Sequence, residues 1–321
     1  MTLVEAAAEP TEFTHDDNTA TRLPVRASMG DGAILRAYLY RRELSLADKR
    51  RKAPKLTTPL LCLPTELGNA RQLHRIALAL AFHEDTNNKI YTLSLRGRGD
   101  SDHQGAAASD LTTDADDLIS FCDAHNLHHI DVMVSGYTVF TVFSAMSRRP
   151  SLVRRLILND SAPEFDAVGI ARRTALMQRT SQPENWEACA EQLRDLKGEE
   201  FPQFTDSDWL DMAKQDYRLE ESGPVPDIAK GLVRWSNMAD YDAQQPSLWP
   251  ELRLFNRNPV LLVHGEHSGL VTTEIAQKTQ AAHPDMDVIE AIGQGHVPQL
   301  ERGPLPGQIV KFLLRAPNPA D

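Results

Sequence analysis

His264 and His267 stand three residues apart, a spacing that could bring two imidazoles to one metal ion. Zinc needs a third protein ligand even in an open catalytic site, and none accompanies this pair. His264 also closes a short apolar run, residues 260–263, which reads as the end of a buried strand. No metal is therefore expected. His128-His129 reads as a junction between a helix and a strand. Cys62, Cys122 and Cys189 are odd in number and far apart, a pattern of neither a disulfide framework nor a zinc site, and one that suits a reducing cytoplasm. Arg98-Gly99-Asp100 belongs to a glycine-rich loop and is not read as an adhesion signal. The chain has no G-x-G-x-x-G after a strand, no phosphate-binding G-x-x-x-x-G-K and no H-E-x-x-H, so no cofactor is expected.

The elements that would position any chemistry follow from patterning. The chain has 321 residues, enough for a sizeable core, with 34 basic and 45 acidic residues and a formal charge of −11. That balance argues against nucleic acid and against anionic membrane surfaces, and no apolar run approaches the roughly 20 residues that span a bilayer. Residues 1–22 are polar and acidic and read as a tail, as do residues 316–321; the N-terminus lacks the charge-then-apolar order of a signal peptide. LPVRASM and AILRAYLYR flank Gly30-Asp31-Gly32, a hairpin signal. The segment 41–55 carries seven Lys and Arg and reads as a solvated loop, with an acidic partner as the competing reading. From Pro59 short apolar runs (60–63, 90–95, 130–134, 153–158, 260–263, 288–292) alternate with amphipathic stretches. Strands separated by helices predict a mostly parallel sheet covered on both faces, an α/β architecture. Residues 167–255 break that rhythm: they show helical segments, no strand-like run and all four tryptophans, and read as a helical lid inserted into a core of residues 23–166 and 256–315.

Six landmarks in order carry a resemblance. They are Cys62-Leu63-Pro64-Thr65-Glu66 with Asn69-Ala70-Arg71, Arg96 through Asp102, the strand at 130–134 leading into a helix that ends at Arg149-Pro150, Leu156 through Asp160 with Pro163, Val263-His264-Gly265-Glu266, and Gln294-Gly295-His296 with Gln299-Leu300-Glu301. Together they resemble the α/β-hydrolase superfamily, in its capped branch, over residues 23–315. The resemblance implies a serine on a G-x-S-x-G turn, a histidine base and an orienting acid. His296 matches the base. Val134-Ser135-Gly136-Tyr137-Thr138 matches the turn, which puts Gly136 where the nucleophile would stand, without a hydroxyl. Glycine can keep the strained positive φ of that bend. Ser135 belongs to the strand end, where neighbouring side chains point to opposite faces, so it should aim away from His296. At the acid position the loop has Ser268 or Gly269. Asp160 is the spare acid, with a purely structural hydrogen-bonding role as the competing reading.

Glu66 occupies a site that is usually small or apolar, where an inward carboxylate would oppose a developing oxyanion; an outward, solvated Glu66 is the alternative. Thr65, Glu66, Ser135, Tyr137, Trp186, Trp209 and Trp235 are expected to line a pocket between core and cap. With nucleophile and acid both substituted, the first expectation is a protein that binds a small, mainly apolar molecule without hydrolysing it. The alternatives are an enzyme that uses His296 as general base without a covalent intermediate (of hydrolase, lyase or cofactor-independent oxygenase type) and a protein-interaction scaffold. The oligomeric state is left open.

Overall fold

The computed structural model describes residues 22–42, 58–83, 85–86, 88–102, 110–177, 181–229, 232, 247–256 and 258–315. The basic segment 41–55 lies almost wholly outside them. In chain order the elements are β1 (Arg22–Ser28), β2 (Ile34–Tyr40), β3 (Leu60–Leu63), α1 (His74–Ala81), β4 (Ile90–Ser94), α2 (Leu111–Ala124), β5 (Ile130–Ser135), α3 (Val139–Arg148) and β6 (Val153–Asn159). There follow α4 (Ala167–Met177), α5 (Trp186–Lys197), α6 (Asp206–Asp216), β7 (Tyr217–Glu220), β8 (Gly223–Pro226), α7 (Trp249–Leu254), β9 (Val260–Gly265), α8 (Thr273–Ala282), β10 (Met286–Ala291) and α9 (Leu305–Leu313).

Eight strands form one sheet in the order β1-β2-β4-β3-β5-β6-β9-β10. β1 and β2 make the expected hairpin, and β2 joins β4 antiparallel; from β4 to β10 all pairings are parallel. Every residue of β3, β5 and β9 is buried, because helices cover both faces. The two-residue period of a strand sorts their side chains. Leu61, Leu63, Val132, Val134, Leu156 and Leu158 pack with α2 and α3 through Leu118, Phe121 and Phe143. Leu60, Cys62, Met133, Ile157 and Leu261 pack with α1 and α9 through Ile76, Leu80, Ile309 and Phe312. None of the helices, among the described residues, is long and apolar enough to cross a membrane.

Between β6 and β9, α5 and α6 enclose a separate small core of Cys189, Leu193, Phe201, Trp209 and Met212. Their starts are capped by the Asn185 side chain on the Ala188 N–H and by a Thr205–Asp208 capping box. The expectation that this segment holds no strand is corrected by the β7–β8 hairpin. Its strands are four residues long, YRLE being half-exposed to exposed and GPVP interrupted by prolines, so they leave no apolar run to read.

Candidate functional site

β6 ends at Asn159, and the next residue, Asp160, adopts a left-handed backbone (φ 47°) that turns its carboxylate under the adjoining strand end. Asp160 Oδ1 accepts the Gly265 N–H at 3.0 Å, and Oδ2 accepts the Ser268 hydroxyl at 2.6 Å. The same Oδ2 lies 2.8 Å from His296 Nδ1. Ser268, one of the two residues at the expected acid position, thus serves Asp160: its hydroxyl also accepts the Val271 N–H at 3.0 Å. Gly269 contributes backbone to a cavity wall and has no side chain to offer. The loop before His296 is held by Glu200, whose Oε2 accepts the His296 backbone N–H at 3.0 Å.

His296 and Asp160 are both fully buried. Burial pushes the Asp160 carboxyl up to about 8, against the hydrogen bonds from Ser268 and Gly265 that favour its charge. Burial, then the positive charges of Arg173 and Lys197, holds the His296 imidazole well below its ordinary value. The imidazole is therefore neutral; a proton on the nitrogen that faces Asp160 leaves a lone pair on Nε2, the tautomer that a base role requires. Among the described residues, Nε2 is buried and has no hydrogen-bond partner.

Nε2 faces the bend after β5. Gly136 has φ +54°, a conformation that costs most L-residues about 1–2 kcal/mol. A Cβ built on Gly136 would lie 3.2 Å from His296 Nε2 and 3.2 Å from Glu66 Oε2. Glu66 is thus turned inward, which disposes of the solvated alternative; it is only 5% exposed and its Oε2 likewise lacks a partner. Its backbone is fixed by Arg98, whose Nε donates to the Glu66 carbonyl at 2.9 Å while the guanidinium pairs with Asp114 at 3.1 Å. Two buried, unsatisfied acceptors therefore converge on one point above Gly136, and that point suits a group able to give up a proton. Ser135 is turned elsewhere, its hydroxyl accepting from Asn159 Nδ2 at 3.2 Å.

A cavity of about 560 Å³ adjoins this point, walled by Thr65, Glu66 and Ser135 from the sheet side and by residues of α4, α5 and α6. Three aromatic expectations are corrected. Tyr137 is buried and stacks on Phe165 with ring centroids 4.1 Å apart, so it fills core rather than cavity. Trp209 packs against Phe204 at 5.0 Å inside the small core, and Trp186 packs on the same cluster. Neither tryptophan reaches the cavity wall; Trp235 lies outside the described residues. In their place stand Gln72, Arg173, Lys197, Glu200 and Asp216, which no sequence spacing announced. The His264–His267 pair does not form a site: His264 Nε2 bonds the Val271 carbonyl at 2.8 Å. Among the described residues no group of three or more His, Cys, Asp or Glu side chains could hold a metal ion.

The comparisons match this architecture. A crystal structure of an alpha/beta hydrolase from Novosphingobium aromaticivorans superposes with a TM-score of 0.75 at 22% identity, covering 92% of this chain and 98% of that one. E-2-(acetamidomethylene)succinate hydrolase gives 0.71 at 18% identity, over 91% and 99%. An esterase from Exiguobacterium antarcticum gives 0.65 at 14%, over 90% and 98%. At such identities these likenesses concern the fold. Among curated proteins, ethanol acetyltransferase 1 of Cyberlindnera fabianii is 32% identical over 80 residues, 24% of this chain and 23% of that protein, so the chain spans under a quarter of its relative's length. A family model described as alpha/beta hydrolase fold matches residues 58–303, from β3 to the loop before α9. With that span, this sheet order and an Asp–His pair at the strand ends, the chain belongs to the alpha/beta hydrolase fold family.

Proposed function

We propose that the protein is an enzyme in which His296, oriented by Asp160, acts as a general base without a covalent intermediate. The supporting observation is the 2.8 Å contact between His296 Nδ1 and Asp160 Oδ2, with Nε2 left as a buried lone pair over Gly136. A histidine merely stored in the fold would be expected to bond at both nitrogens. Asp160 here is a positioning residue: it fixes the tautomer and offsets the charge that His296 gains when it takes a proton. Gly136 supplies the bend and no nucleophile, so the proton comes from a substrate C–H or O–H group, or from water. Glu66 disfavours a negative oxygen at the point it shares with Nε2, which tells against acyl transfer there. Residues 167–255 act as the cap in this reading, and the reactant enters past Glu66, which borders both the cavity and the point above Gly136.

The binding-only reading keeps one observation of its own, the glycine at the nucleophile position. A scaffold reading is weakened by a 560 Å³ cavity that side chains have not filled. The distinguishing probe is 5-nitrobenzisoxazole, which opens when one base removes its ring C–H proton, the N–O bond breaks and the electron pair leaves on the phenolate oxygen. Catalysis above buffer is expected. His296→Ala should lower it by about 100-fold or more, within the usual worth of a positioned base, and Asp160→Asn by about tenfold. A rate indifferent to His296→Ala would return the protein to binding alone. An ester-driven acyl burst dependent on Ser135 would contradict both readings.

A further inference from the structure

Two cations stand on the cavity wall without a salt bridge among the described residues, although the charges of Asp216 and Glu200 act on Lys197. Arg173 lies on α4 and Lys197 ends α5; both are half-buried and both line the cavity. Among the described residues, neither has a hydrogen bond or an ion pair. Lys197 has only the Phe201 ring, 5.9 Å from its Nζ. The neighbouring Arg172, by contrast, pairs with Glu199. Six carboxylates share the wall, and five have another contact: Asp216 accepts Gln72 Nε2 at 2.7 Å, Asp166 accepts the Gly169 N–H at 2.7 Å, Glu199 pairs with Arg172, Glu200 accepts the His296 N–H and Glu66 faces Gly136; the sixth is Glu301. The rest of the wall includes Leu73, Ile76, Leu193, Met212 and Ile228, so an apolar body has a surface to cover.

From this arrangement we infer that the cavity takes a substrate with an apolar body and a carboxylate, the carboxylate being held by Arg173 and Lys197. The inference deepens the general-base reading by naming the class of reactant, and it adds a charged head to the small, mainly apolar ligand expected from sequence. Guanidinium and ammonium groups left unpaired beside a partly closed cavity are costly, and a carboxylate removes that cost through charge-assisted hydrogen bonds. Burial, then the charge of Arg173, pushes Lys197 down against the opposing charges of Asp216, Glu200 and Glu66, and an anion set beside both cations would add to that opposition. The same two charges hold His296 low, and neutralising them would strengthen the base when the substrate arrives.

Hexanoate and hexanamide share a body and differ in charge, which makes them the probe pair for calorimetric titration of the full chain. Hexanoate should bind at least tenfold more tightly than hexanamide. Arg173→Gln and Lys197→Gln should each weaken hexanoate at least tenfold, while Arg173→Lys keeps much of the affinity; unchanged circular dichroism shows that the variants fold. Equal binding of the two probes, no binding of hexanoate, or full affinity in the double Gln variant would overturn the assignment. His296→Ala should still bind hexanoate. Retained binding with no base activity on 5-nitrobenzisoxazole would sink the general-base reading alone, and base activity without carboxylate preference would sink this inference alone.

Discussion

Gly136 decides more about this site than any other residue, because its missing side chain points at a ready imidazole. Gly136→Ser should supply the alcohol that the Asp160–His296 pair could deprotonate. The φ of +54° makes the substitution costly by about 1–2 kcal/mol, so the urea midpoint should fall. In exchange, hydrolysis of p-nitrophenyl acetate with an acyl burst is expected where wild type shows none. Glu66 Oε2, 3.2 Å from the new Cβ, should restrain that gain, so Gly136→Ser with Glu66→Ala should turn over faster than Gly136→Ser alone. A folded Gly136→Ser without any ester turnover would show that the pair is not aligned as a base. Because His296 is held low, its neutral form persists on acidification. Ester turnover by the serine variant should therefore be level as the pH falls through 6.5, and decline only below the ordinary histidine range; a half-loss near 6.5 would contradict the lowered value.

At the scale of elements, the glycine-rich loop after β4 is tied down by charge. Arg96 donates to Asp117 on α2 at 2.9 and 2.8 Å and to Asp31 of the β1–β2 turn at 2.5 Å. Arg96 and Asp117 are both buried, so Arg96→Met should leave an uncompensated carboxylate and cost about 3–5 kcal/mol, read from urea denaturation. A loss under 1 kcal/mol would mean that Asp117 finds water or a proton cheaply. Such ties were invisible in the sequence: 65 residues separate Asp31 from Arg96, and 21 separate Arg96 from Asp117. The strands themselves were readable. LLCL, IDVMV and VLLV are continuous apolar runs because helices cover both of their faces, and a run bounded by turn residues needs no partner to be recognised. β7 and β8 escaped for the opposite reason, since neither the half-exposed YRLE nor the proline-broken GPVP carries such a run.

The whole molecule combines regions of unequal protection. β3, β5 and β9 sit inside the sheet with every residue buried, whereas β7–β8 is a two-stranded ribbon with exposed Leu219. Amides of the three inner strands should exchange with solvent only on global unfolding, and those of Tyr217–Glu220 by local opening many orders of magnitude sooner. Comparable exchange rates in the two regions would mean that the hairpin is locked by contacts stronger than those described.

The sheet, its hairpin, the bend at Gly136 and the histidine at 296 could all be read from residue order, since each depends on local patterning or on a landmark a few residues long. Asp160 was readable only as one of two options, and its bond to His296, like the inward turn of Glu66, the packing of Tyr137 and Trp209 away from the cavity, and the gathering of Arg173 and Lys197 on its wall, required the folded chain. The reason is distance along the sequence: Asp160 and His296 are 136 positions apart and meet because β6 and β10 end on the same side of the sheet, while Arg173 and Lys197 arrive on separate helices. Local periodicity states which face of an element is apolar, and leaves open which other element that face will meet.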